Sequence, residues 1–85
     1  MITEFSRTEM LIGPEAVSAL KHSTIVIFGV GGVGSHAIEA LARSGAGRLV
    51  LIDNDTVSLT NINRQIIATH STVGKYKVDV AKDRI

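Results

Sequence analysis

A parallel α/β fold follows from three features of this 85-residue sequence. Two short aliphatic runs, Thr24–Phe28 and Arg48–Ile52, are rich in the residue types that suit strands. Between them Ile38, Leu41 and Ala42 recur at helical spacing, with polar Ser35, His36, Glu39 and Arg43 interleaved. The first run passes into that segment through Gly29, Gly31, Gly32 and Gly34, four glycines within six positions. A strand, a glycine turn, a crossover helix and a second strand make a right-handed unit whose two strands run parallel.

The elements can be justified in chain order. Residues 1–12 are too apolar at Phe5, Met10, Leu11 and Ile12 for a free tail and read as a docked helical arm. Ser6 or Thr8 is the expected cap, with Glu9 three residues after Ser6 in capping-box spacing. Gly13-Pro14 marks a boundary, because proline suits the first turn of a helix. The helix over 14–22 places Ala16, Val17 and Leu20 on one face, and His22 near its end reads as structural. The β-branched strand over 24–28 is expected to be buried on both faces. The helix over 33–44 ends at Gly45, the residue type that best takes a left-handed conformation after the last turn. After the second strand, residues 56–70 are too rich in Thr, Asn and Ser for a regular helix and read as a loop with a helical turn over 61–67. A second turn, 71–77, leads into a helix carrying Val78, Ala81 and Ile85 on one face.

Composition narrows the class. A hydrophobic fraction of 45% supports a packed core, and a net charge of +1 gives no broad electrostatic footprint for nucleic acid or membrane. The absence of cysteine excludes disulfides and thiolate metal sites from this chain and suits a cytoplasmic setting. The opening residues lack a secretory apolar segment, and Ile25–Phe28 is far too short to cross a bilayer. Two strands cannot cover their own edges, and a helical pattern is still running at Ile85. The sequence therefore reads as the amino-terminal part of a longer protein, with residues 1–85 belonging to a single nucleotide-binding domain.

The chemistry gathers at the glycine turn. Glycine allows φ > 0 and close approach of a ligand to the backbone, and the following helix aims its free N–H groups and positive dipole end at the turn. That combination binds phosphate. Asp53 lies nineteen residues beyond Gly34, at the carboxyl end of the second strand, where an acid can hold a ribose hydroxyl pair. Asp53 and Asp55 could instead cap the following turn. Asn61, Arg64 and Gln65 could converge on a polyphosphate, as could Lys75 and Lys77 at the last helix start, where the dipole does not favour a cation. Each of these cations, and Arg7, also reads as a solvated surface charge when taken alone. Gly29-x-Gly31-x-x-Gly34 is the dinucleotide pattern, so NAD remains open. ATP is preferred because Arg64 and Lys77 supply more cationic charge than a pyrophosphate needs.

Taken together, residues 29–35 (Gly-Val-Gly-Gly-Val-Gly-Ser), 42–47, 51–57, 61–65 (Asn-Ile-Asn-Arg-Gln) and 73–77 resemble the adenylating half of the ubiquitin-activating-like superfamily. Residues 5–13 and 61–66 are most similar to its branch of tRNA threonylcarbamoyladenosine dehydratases, with the adenylyltransferases of small sulfur-carrier proteins as the neighbouring branch. The resemblance implies a Rossmann-like ATP-binding domain, of which this chain holds an incomplete βαβ unit preceded by a helical arm. It implies ATP on Gly29, Gly31, Gly32, Gly34, Asp53, Asp55, Asn61, Arg64, Gln65 and Lys77, with Arg64 and Lys77 on the phosphates. It implies a homodimer in which Arg7 acts in the neighbour's site, and Mg²⁺ held by a residue beyond position 85. The implied activity is ATP-dependent activation of a carboxylate on a tRNA nucleoside, with an isolated 85-residue chain inactive.

Overall fold

In the computed structural model, which describes residues 2–85, two short helices precede the sheet: α1 (Ser6–Ile12) and α2 (Pro14–Lys21). Strand β1 (Thr24–Phe28), helix α3 (Gly32–Arg43) and strand β2 (Arg48–Ile52) follow, then a 3₁₀ turn (Leu59–Asn61) and helix α4 (Lys77–Arg84). The strands pair in parallel from Thr24 beside Arg48 to Phe28 beside Ile52. The predicted α/β class and both strand boundaries match what forms. No helix among the described residues is long and apolar enough to cross a membrane.

One apolar cluster organises these elements. Val30 and Ile38 from the turn and α3, Val57, Ile67 and Ala68 from the long loop, and Val80 and Ala81 from α4 are all buried. Ile27, Leu49 and Leu51 pack against that cluster, so α3, α4 and the loop cover the same face of the sheet. The opposite face carries Val26, Phe28 and Ile52, and Phe28 is 77% exposed. The expectation that β1 is buried on both faces is therefore corrected: α3, α4 and the loop cover the face of Ile27, while Val26 and Phe28 on the other face stand exposed.

Local chemistry corrects two further expectations. Ser6 does not cap α1 but occupies its first turn, where its hydroxyl accepts a hydrogen bond from the Thr3 N–H at 2.8 Å. Phe5 stands at the cap position without a side-chain bond, and Thr8 lies inside the helix. The helical turn placed at 61–67 begins earlier, at Leu59. Asn61 closes it: the Asn61 Oδ1 accepts from the Ser58 N–H at 2.9 Å, completing a capping box. The loop is also pinned at its far end. Thr56 and Tyr76 form an isolated antiparallel bridge, and the Val57 and Lys77 N–H groups donate to Lys75 O at 2.8 Å and Asp55 O at 3.0 Å. This return connection carries α4 back to the carboxyl ends of the strands.

The glycine turn is held closed by Gly34. A Cβ built there would overlap the Gly29 carbonyl oxygen, so α3 can approach β1 this closely only with glycine at 34. Gly34→Ala is expected to cost about 3 kcal/mol or to prevent folding, since backbone cannot move aside as a side chain can. Urea unfolding checks this, and a midpoint equal to wild type counts against it.

Candidate functional site at the glycine turn

The site is built by strand register. Because Phe28 lies beside Ile52, the chain leaving β1 passes directly by Asp53. Gly29, at φ 88°, bends away from the sheet while its N–H still donates to Ile52 O at 2.9 Å. The next N–H, that of Val30, donates to Asp53 Oδ2 at 2.7 Å. Asp53 Oδ1 accepts from the Asp55 N–H at 2.8 Å. One carboxylate thus clasps the glycine turn to the end of β2.

Burial on its own would raise the Asp53 carboxyl. The N–H groups of Val30 and Asp55, with the nearby positive charge of Lys77, outweigh that and hold it below its ordinary value of 3.8.

Around this clasp stand most of the residues named from sequence. Gly31 caps α3, whose first intrahelical bond runs from the Ser35 N–H to Gly31 O, leaving the preceding N–H groups without helical partners. A Cβ at Gly31 would stand 3.7 Å from Gln65 Nε2 and one at Gly32 would stand 3.9 Å from Arg64 O, both ordinary contacts. The 64–65 segment therefore lies over the turn. Room for a methyl group at both positions means that contacts within the chain do not demand glycine there, as they do at Gly34.

Gln65 is only 7% exposed, and its Oε1 is buried with no hydrogen-bond partner. A buried acceptor of this kind is ordinarily met by an ordered water or a ligand. Lys77, 8% exposed, begins α4 at the same end of the sheet.

Not every predicted residue is brought in equally. Arg64 is exposed, and its Nη1 donates to Thr60 O and Asn63 Oδ1, both at 3.0 Å, which curls the guanidinium over its own turn. Asn61 is buried, with its side-chain oxygen engaged as a cap. Asp55 is exposed, and it contributes its backbone to the clasp and to the start of α4. Arg7 lies elsewhere. Helix α1 packs on α2, and the adjoining Phe5 ring lies against Gly45, at the amino end of the strands. That is a strand length, roughly 15 Å, from the glycine turn of the same chain.

The contact that sequence reading missed is the Val30–Asp53 bond. Two strands of equal length paired end to end put Gly29 opposite Asp53, which is the signal that would have found it.

The donor set fits a polyphosphate: unpaired helix N–H groups, open space at two glycines and two cations. No group of three potential metal ligands among His, Cys, Asp and Glu occurs among the described residues.

Asp53→Asn should destabilise the chain by about 1–3 kcal/mol near neutral pH, since an amide places a donor against one of two N–H groups. A carboxyl held below 3.8 contributes stability that is fully present above that value and is lost as pH falls through the folded-state pKa. Unfolding curves of wild type and variant are therefore expected to diverge above about pH 4 and to converge below it; a gap that persists in acid counts against the clasp.

The chain is 58% identical over its full length to a tRNA threonylcarbamoyladenosine dehydratase of Bacillus subtilis (strain 168), covering 34% of that protein. It is 48% identical over 67 residues to the molybdopterin-synthase adenylyltransferase of Escherichia coli (strain K12), a match covering 79% of this chain and 27% of that protein. The E. coli tRNA N6-threonylcarbamoyladenosine dehydratase crystallised with ATP superimposes with a TM-score of 0.93 at 46% identity, over 95% of this chain and 33% of that one. The chain spans about a third of the length of the curated dehydratases it matches. A model of the ThiF family matches residues 5–85, and the chain belongs to the ThiF family.

Proposed function

We propose that this chain is the amino-terminal part of an adenylating domain that activates a carboxylate with ATP. The substrate we favour is the threonyl carboxylate of threonylcarbamoyladenosine in tRNA. The observation that carries the reading is the convergence of the glycine turn, Asp53, the buried Gln65 side chain and buried Lys77 at one end of the sheet. The similarity to dehydratases over the whole chain supports the choice of substrate.

In this reading the glycine turn and the α3 amino end receive the phosphates. Asp53 keeps lone pairs free for the ribose hydroxyls. A carboxylate oxygen of the substrate attacks the α-phosphorus, the bond to the bridging oxygen breaks, and pyrophosphate leaves. Lys77 and Arg64 stabilise the charge that collects on the leaving group. A nucleophile within the substrate then attacks the acyl carbon, closes a ring and releases AMP. A ligand for Mg²⁺ is proposed beyond residue 85.

We also propose a homodimer in a cytoplasmic protein, with Arg7 completing the partner's site. Two observations support this: the start of α1, two residues before Arg7, lies near Gly45 at the amino end of the strands, and Met10 and Leu11 on α1 are exposed. The second reading, adenylation of a sulfur-carrier protein, draws on the similarity to the molybdopterin-synthase adenylyltransferase. An NAD-linked reading of the glycine pattern is set aside, because its relatives are adenylating enzymes.

Pyrophosphate release from ATP by the full-length protein, with tRNA bearing threonylcarbamoyladenosine as substrate, tests the proposal. Lys77→Ala is expected to slow release by about 10²–10³-fold, the cost of removing one charge stabiliser. Release with a sulfur carrier but not with the tRNA would favour the second reading, and release with neither would overturn adenylation.

A further inference from the structure

Helix α1 carries the residue proposed to act at a distance, yet none of its residues is buried. Arg7, Met10 and Leu11 are all exposed. Below the arm lies a cavity of about 550 Å³, lined in part by Glu9, Val17, Lys21 and Ala46. Across that gap one close contact stands out. A Cβ built at Gly45 would meet the Phe5 ring at 3.3 to 3.5 Å along one edge, at Cε1, Cδ1 and Cζ. Gly45 sits at φ 95°, so its open face is presented by the turn that ends α3.

Phe5 is also where the helix starts. It precedes Ser6 as the cap residue, its carbonyl accepts from the Glu9 N–H at 2.9 Å, and its own N–H donates to Thr3 Oγ1 at 3.2 Å. The ring and the helix axis are therefore set by one residue, with Arg7 two positions further on.

We propose that Phe5 is a positioning residue: its ring, seated on Gly45, fixes the start of α1 and so sets where Arg7 is presented to a partner subunit. The inference rests on Arg7 acting in trans. An aromatic ring suits this duty because it gives a large contact with few rotatable bonds. Glycine at 45 suits it because a Cβ there would press on the ring edge at 3.3 Å and because φ 95° strains any other residue.

Subunit mixing distinguishes this role from a general structural one. Pyrophosphate release by the full-length protein is measured for Phe5→Ala alone and after mixing with Lys77→Ala. Phe5→Ala alone is expected to lose about tenfold. In a mixed dimer the intact Lys77 site of the Phe5→Ala subunit receives Arg7 from a neighbour whose Phe5 is present. Random pairing should then restore roughly a quarter of wild-type activity.

A ring that merely stabilises its own subunit gives no restoration, because that dimer has one damaged site and one dead site. The same mixing with Arg7→Ala is the control for the underlying reading. If Arg7→Ala fails to complement, trans action is wrong and the inference falls with it. If Arg7→Ala complements and Phe5→Ala does not, only the role of Phe5 is overturned. Phe5→Tyr should keep wild-type turnover. Should Phe5→Ala not fold, Phe5→Val, too short to reach Gly45, carries the same test, and unchanged turnover in it overturns the role.

Discussion

The carboxylate of Asp53 is the constraint on which the site depends. It joins three things that the sequence keeps apart: the exit from β1, the end of β2 and the charge at the start of α4. With Val30 N–H on one oxygen and Asp55 N–H on the other, each oxygen retains a lone pair. Capping a loop and holding a ligand hydroxyl are therefore compatible duties of one side chain, not rival explanations of it. The clasp also fixes the orientation of the carboxylate before any ligand arrives, so little ordering is left to do on binding.

Lys77 shows the complementary tension. It is nearly fully buried at the first position of a helix, where the dipole opposes a cation, and Asp53 is the anion that faces it. A single carboxylate, already engaged by two N–H groups, answers that charge only in part. Gln65 adds a second unmet demand a short way off, an acceptor with no donor. Local chemistry that the chain does not satisfy for itself is concentrated where the glycine turn leaves space, which is the pattern of a binding site.

Much of this was legible in the sequence, for identifiable reasons. Strand boundaries were readable because aliphatic runs stop sharply at Gly29 and Asp53, and α3 because a glycine turn and Gly45 bracket an apolar period. The Thr56–Tyr76 bridge was not legible, since a lone antiparallel contact between loop residues leaves no periodic trace. The cap of α1 was misread because Ser6 and Glu9 have capping-box spacing while Thr3, further upstream, supplies the competing hydrogen bonds. Among the site residues, Asp53 could be placed by register alone. The buried state of Lys77 and Gln65 depends on how the return loop folds over the turn, and no spacing encodes that.

The exposed face of the sheet links the fold to the site. Fully burying a phenylalanine side chain is worth about 1.5–3 kcal/mol. Phe28 stands almost wholly in water, flanked on the same face by Val26 and Ile52. Phe28 also immediately precedes Gly29, and Ile52 immediately precedes Asp53. Any surface that covers these side chains must come within one residue of both halves of the clasp. Covering the sheet would at the same time dry the glycine turn, lower its local dielectric and strengthen every charge interaction made there. The hydrophobic demand of the fold and the electrostatic demand of the site are thus met at the same edge, by the same act of packing.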